Sequence, residues 1–254
     1  MLTIISPAKK LAFGPVDSQV PATLPTDLDR SEKIMAVLRK KSVKAIKNLM
    51  DLSDDLAELN VKRYAEWTTE HSEPSARQAL FAFKGDVYQG LNADTLSPSQ
   101  VGFGTEHLRI LSGLHGLLRP NDLIRPYRLE MGTQLAVKGK KNLHQFWGDR
   151  VTDRLQADLD ASGSNVLVNL ASDEYFKVVN AKKLKARIIT PVFKDLKNGQ
   201  YKSLFLYVKQ ARGMMAGYIL RNEINDPEQL KQFDGGGYRY SEALSTPDVW
   251  VFTR

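Results

Sequence analysis

The span from Leu111 to Thr133 concentrates residue types that bind anions. It holds Arg119, Arg125 and Arg128, together with Gly113, Gly116, Gly132, Pro120 and Pro126. A guanidinium offers forked donors that match the oxygens of a phosphate. Glycine allows a backbone to approach a ligand closely. Asp122 and Glu130 lie in the same span, so these arginines are equally suited to a structural ion-pair network. Lys9, Lys84, Lys209 and Arg212 add cations elsewhere in the chain. If they meet Asp86, Tyr88, Tyr127 and Glu130, the result is a cationic cleft containing a few acids. Such a cleft would bind a duplex backbone, because each neutralised phosphate releases counterions. A small phosphorylated substrate is the other ligand it would take. Asp86 and Glu130 are then the candidate catalytic residues, as general bases, or partners of Asp173 and Glu174 around Mg²⁺. Each of these acids also has a plainer reading as a salt-bridge partner.

A second constellation runs from Ile46 to Ala57. The residues Ile46, Leu49, Leu52 and Ala57 have the spacing of two short helices meeting at a tight turn, a helix-hairpin-helix-like element over about residues 43–66. The turn would present backbone N–H groups at the start of its second helix, where they and the helix dipole hold a phosphate oxygen without reading bases. Lys44 and Lys47 flank it, and Leu52 and Ser53 lie in the turn. Asp51 and Ser53 occupy the positions where such turns usually carry glycine. Asp51, Asp54 and Asp55 place negative charge there. The alternative is that Ser53 simply caps the next helix, with acids favouring its first turn.

The composition narrows the chemistry. There is no cysteine among the 254 residues, which removes thiolate metal sites and thiol peroxidase chemistry. His71, His107, His115 and His144 show no i, i+4 pair of the zinc type, so no metal and no cofactor is expected. The longest apolar runs, such as Leu204 to Val208, are too short to span a bilayer. The first residues lack the pattern of a signal peptide. A cytoplasmic protein with no membrane partner is therefore expected. The net charge is +7. Eleven Lys or Arg against Asp195 alone lie between Lys177 and Arg221, a basic segment suited to nucleic acid or to a solvated face.

The elements that would position these residues are mixed. Leu2–Ile5, Leu80–Phe83, Leu108–Leu111 and Val166–Leu170 read as strands. Ser31–Met50 and Asn142–Ala161 carry helical apolar spacing, unless Ser42 caps a fresh helix. Ala186–Leu196 and Tyr201–Val208 flank Asn198-Gly199, a hairpin turn signal, and a helix follows to about Ile224. Trp67, Trp147 and Trp250 fit core positions. Gly14 to Asp29, with Pro15, Pro21 and Pro25, reads as a long loop. No regular βαβ rhythm is visible. The expected class is α+β (mixed α/β), as one compact domain over residues 1–254.

Five motifs then carry a resemblance: Ser6-Pro7-Ala8-Lys9, Phe83 to Tyr88 with Gly90, Leu111 to Thr133, Asn169 to Phe176, and Lys209 to Gly213. In this order they are similar to the motifs of the YaaA peroxide-stress-response family, and the similarity covers almost the whole chain. His115 stands where that family's pattern has tyrosine. The resemblance implies a cytoplasmic stress-response protein with a fold peculiar to the family, a link to peroxide protection and, through the hairpin, to double-stranded DNA. It implies no established reaction. The sequence reading thus favours a largely sequence-independent duplex binder over an enzyme. The alternatives are an enzyme using the cleft on DNA or a phosphorylated substrate, and a docking module for an acidic protein.

Overall fold

A computed structural model describes residues 1–14 and 19–254, so Pro15 of the early loop lies outside the described residues. In chain order come β1 (Leu2–Ile5), β2 (Lys10–Leu11), α1 (Leu28–Leu38), α2 (Val43–Met50), α3 (Asp54–Glu66), β3 (Arg77–Gln78), α4 (Ala79–Ala82), β4 (Phe83–Lys84), α5 (Asp86–Leu91), α6 (Pro98–His107) and β5 (Leu108–Ser112). They are followed by β6 (Gly116–Leu118), β7 (Leu123–Ile124), α7 (Leu143–Trp147), α8 (Arg150–Ala161), β8 (Val166–Leu170), α9 (Asp173–Phe176), β9 (Arg187–Lys197), β10 (Gln200–Lys202), α10 (Phe205–Arg221), β11 (Arg239–Tyr240) and β12 (Val249–Thr253).

The fold is mixed α/β. Its main sheet has the order β11-β12-β9-β8-β1-β5-β6, with β10 pairing β9. The central neighbours β12, β9, β8, β1 and β5 pair in parallel, and β11, β6 and β10 add antiparallel. Ile4 lies between Arg109 and Asn169 in register. Both β1 and β5 are buried along their whole length, which is how a parallel strand covered on both faces reads in sequence. The chain steps from β1 out to β5, then returns across β1 to β8 and continues outward. That reversal makes a switch point between β1 and β8, and the loops leaving their carboxyl ends diverge there. The rhythm is hidden in the sequence because the β1-to-β5 connection contains α1 to α6.

Several local expectations are corrected. Leu80–Phe83 is not a strand; its first residues form α4, tied down by Ala79 and Leu80 N–H bonds to the Asp122 and Pro120 carbonyls. A short, fully apolar run has no period that separates helix from strand. Tyr201–Val208 is not one strand, because β10 ends at Lys202 and α10 begins at Phe205. The Asn198-Gly199 turn itself has positive φ at both residues, as its hairpin requires. The 142–161 helix is broken at Gly148, where φ is +50°. Ser42 does start a fresh helix, its hydroxyl accepting from Ala45 N–H.

One contact sets the geometry of the site. A Cβ at Gly213 would lie 1.8 Å from the Val87 carbonyl oxygen, and one at Gly90 would lie 2.2 Å from that of Gln210. The backbones of α5 and α10 therefore touch, and no side chain fits between them. The apolar core runs as one cluster from Met1 to Phe252 and includes Trp67, Trp147 and Trp250.

Candidate functional site

Segments from all five motifs meet around the carboxyl ends of β1 and β8. Ser6 follows β1, and its hydroxyl accepts the Ser172 N–H at 2.9 Å just beyond β8. The Tyr88 hydroxyl on α5 donates to the Ser6 carbonyl at 3.2 Å. Gly85, which opens α5, packs on Ala8. Gly113, after β5, lies under the Leu129–Glu130 backbone, where a Cβ would come within 2.5 Å of a carbonyl oxygen. That contact brings Glu130 in. Its carboxylate takes Lys9 at 2.8 Å and Arg128 at 3.6 Å. The Glu174 carboxylate accepts the Gly132 N–H at 3.1 Å.

Tyr88, Tyr127 and Tyr175 lie close enough to affect one another's ionisation. Burial pushes all three phenols up, so each stays protonated. Arg212 reaches the same region from α10, beside Asp173. Burial pulls its guanidinium below the ordinary value while Asp173 opposes this. Arg212 makes no hydrogen bond or ion pair among the described residues, and its buried Nε has no acceptor. The buried Nε of Arg128 also lacks one.

The other candidate cations have varied surroundings. Arg119 is clamped on buried Asp122, with its Nε at 3.1 Å and a terminal nitrogen at 2.9 Å from one carboxylate oxygen. Arg125 donates to the Glu66 and Glu70 carbonyls and the Ser75 hydroxyl. Both arginines therefore direct donors into the protein. Lys84 pairs with Asp94 at 3.5 Å. The Lys209 ammonium sits 4.1 Å from the centre of the Phe205 ring. Asp86 opens α5 and makes no ion pair among the described residues.

The α2–α3 pair is joined by Asp51, Leu52 and Ser53. Asp51 is left-handed at φ +51°, Leu52 is buried, and the Ser53 hydroxyl accepts from Leu56 N–H. Ile46 and Ala57 are both fully buried. Lys44 is exposed, whereas Lys47 holds the Asp54 carboxylate at 2.8 Å. Tyr64 of α3 ties this pair to the arginine-rich segment, since its hydroxyl donates to the Arg128 carbonyl and lies 3.9 Å from Met50 Sδ.

Two features escape a reading of the sequence. Arg63 on α3 faces Arg128, and burial followed by this like charge lowers its pKa. Helical phase from buried Ala57, Asn60 and Tyr64 would have placed it at the edge of the packed face. The second feature is a buried aromatic group of Trp67, His71, His115 and Tyr127, with the His71 and His115 rings 5.9 Å apart. His115 Nδ1 lies 3.1 Å from the Ser31 hydroxyl. Among the described residues, no three or more His, Cys, Asp or Glu side chains gather as a metal site. Gly102 and Gly104 lie inside α6 and form no phosphate loop.

The geometry defines a class: a mixed α/β protein with a mostly parallel sheet and a polar, mixed-charge cluster of side chains at its switch point. The chain belongs to the peroxide stress protein YaaA family, whose family model matches residues 1–244. It is 52% identical over 254 residues to a UPF0246 protein of Shewanella pealeana, covering 100% of this chain and 99% of the relative. A UPF0246 protein of Ralstonia nicotianae shows the same identity and coverage. No helix among the described residues is long and apolar enough to cross a membrane.

Proposed function

We infer that this peroxide stress family protein binds double-stranded DNA through the phosphate backbone, largely without regard to sequence, and acts in the cytoplasm. The observation that carries the reading is the α2–α3 pair. Its buried Leu52 and capping Ser53 hold the start of α3 in a fixed orientation at the surface, with Lys47 on Asp54 there. N–H groups at a helix start and nearby ammonium groups contact phosphate oxygens and carry no base information. The helix-hairpin-helix reading rests on this geometry together with the apolar spacing of Ile46, Leu49, Leu52 and Ala57. Lys47 is held by Asp54 at the surface, and that exposed pair is weak enough to exchange its carboxylate for a phosphate. The chain's net charge of +7 favours encounter with a polyanion. Lys9, Lys84 and Lys209 would extend the contact along the rim of a cationic cleft.

The test is a mobility-shift titration with unrelated duplexes of equal length. All should bind alike, and log K should fall with log salt by roughly 0.9 per contacted phosphate. Flat affinity between low and physiological salt would contradict backbone binding. The alternative reading, an enzyme on DNA or a phosphorylated substrate, is favoured by Glu130 sitting between Lys9 and Arg128. It expects Asp86→Asn or Glu130→Gln to lose turnover while binding persists.

A further inference from the structure

We propose that the polar cluster at the β1–β8 switch point is a separate site for a small phosphate monoester on a hydroxylated frame, the chemistry of a sugar phosphate or nucleotide, with Arg212 as its phosphate anchor. The proposal stands on different residues from those of the hairpin. Arg212 is a half-buried cation with no hydrogen-bond acceptor of its own among the described residues. Arg119 and Arg125 have carboxylate, carbonyl or hydroxyl acceptors within hydrogen-bond distance. Arg212 has none among the described residues, and its Nε has almost no exposed surface. A buried N–H left without an acceptor is costly. A bound anion removes that cost by supplying the missing acceptors.

The position is also built. Gly213, the next residue, lets α10 press against α5 without any side chain between them. Arg212 is thus fixed on a rigid helix, which keeps the ordering cost of binding low. It reaches the place where ligands of open parallel sheets bind, outside the carboxyl ends of strands whose connections diverge. Arg128, paired with Glu130, has an orphaned Nε of its own.

The acids decide what kind of phosphate ligand fits. Asp173 lies beside Arg212, and Asp86 opens α5 close to Ala8; neither makes an ion pair among the described residues. Carboxylates beside a phosphate anchor repel the closely spaced charges of a duplex backbone, but they accept hydrogen bonds from sugar hydroxyls. One phosphate on a hydroxyl-bearing frame satisfies both groups. Two sources carry this chemistry, a free sugar phosphate and the terminal phosphate of a DNA strand.

Thermal melting of the full chain tests the proposal and separates the sources. The probes are ribose 5-phosphate, adenosine 5′-monophosphate, and one oligonucleotide with and without its 5′-phosphate. At a hundredfold excess over Kd, the ligand should raise the midpoint by roughly 5–10 °C. A shift with the free esters assigns a free metabolite, and a shift only with the 5′-phosphorylated strand assigns a DNA end. Arg212→Met should melt at or above the wild-type temperature without ligand, because a buried N–H without an acceptor is gone. It should lose the ligand-induced shift, with binding weakened at least tenfold by calorimetry. Lys44→Glu with Lys47→Glu should leave the free-ester shift unchanged. No shift with any probe at millimolar concentration would overturn the proposal. So would a midpoint several degrees lower in Arg212→Met, since Arg212 would then be a structural partner of Asp173.

Discussion

The α2–α3 pair and the switch-point cluster would reach their proposed phosphate chemistry by opposite routes. The pair is local: Ser42, Asp51 and Ser53 set its caps and turn, and its lysines are exposed or in exposed pairs. The switch-point cluster is assembled from five segments far apart in sequence; Glu130, Arg128 and Arg212 are half-buried, and the Nε atoms of both arginines lack acceptors. Exposed charges attract any polyanion and are screened by salt, whereas half-buried ones select by shape and desolvation. The comparison teaches that one basic protein can carry a permissive phosphate contact and a selective one, and that disturbing either should spare the other.

The largest separation is expected from Gly213→Ala. The added methyl would collide with the Val87 carbonyl and push α5 from α10. Overpacking against backbone costs about 1–3 kcal/mol or more, so urea unfolding should show a marked loss of stability. Duplex binding by the surviving folded fraction should persist. An unchanged urea midpoint would mean that the two helices are not locked together.

The same contrast explains what is legible in the sequence. The caps of α2 and the Asn198-Gly199 turn are readable because their chemistry lies within a few residues. The five motifs are readable as motifs, yet their meeting place is not. Ser6 and Ser172 touch only because β1 and β8 are neighbours in the sheet, and that pairing leaves no local mark. Arg212 resembles any other basic residue of the 177–221 segment. Its lack of an acceptor is a property of the packed structure. A single helix over 142–161 is an overextension, because Leu143, Phe146 and Val151 keep a helical phase across the Gly148 break.

Next in size is an acid effect seated beneath both regions. Burial lowers the pKa of His71 and His115 below the ordinary histidine value. The unfolded chain then binds more protons below about pH 6.5, so stability is full above that pH and falls as pH drops through it. The slope should approach about 1.4 kcal/mol per pH unit for each histidine. Denaturant midpoints measured from pH 8 to pH 5 should show this loss, and His115→Phe should flatten it. An identical acid limb in that variant would remove His115 from the explanation.

A smaller change is expected at Arg125, which joins the α3 end to the arginine-rich segment. Arg125→Gln leaves the carbonyls of Glu66 and Glu70 without their guanidinium donor. A loss of about 1–2 kcal/mol is expected, with duplex affinity changed less than stability. A strong affinity loss at unchanged stability would instead make Arg125 a ligand contact. The smallest effect belongs to Ser53→Gly, which removes a cap but keeps the N–H groups at the start of α3. Stability should drop by only a few tenths of a kcal/mol, and duplex affinity should hold.

The central claim is that the α2–α3 pair holds the duplex by its phosphates. The most direct measurement is duplex affinity of Lys44→Glu with Lys47→Glu, taken across a salt series beside the wild type. Two ammonium groups of α2 become carboxylates, one of them next to Asp54, so attraction turns to repulsion at the backbone. The account expects affinity at physiological salt to fall at least tenfold, the salt slope to flatten by roughly 0.9 for each phosphate that is no longer neutralised, and the thermal midpoint to stay near the wild-type value. Full affinity with an unchanged slope would contradict it and move any DNA binding to the Lys177–Arg221 segment and the switch-point cluster.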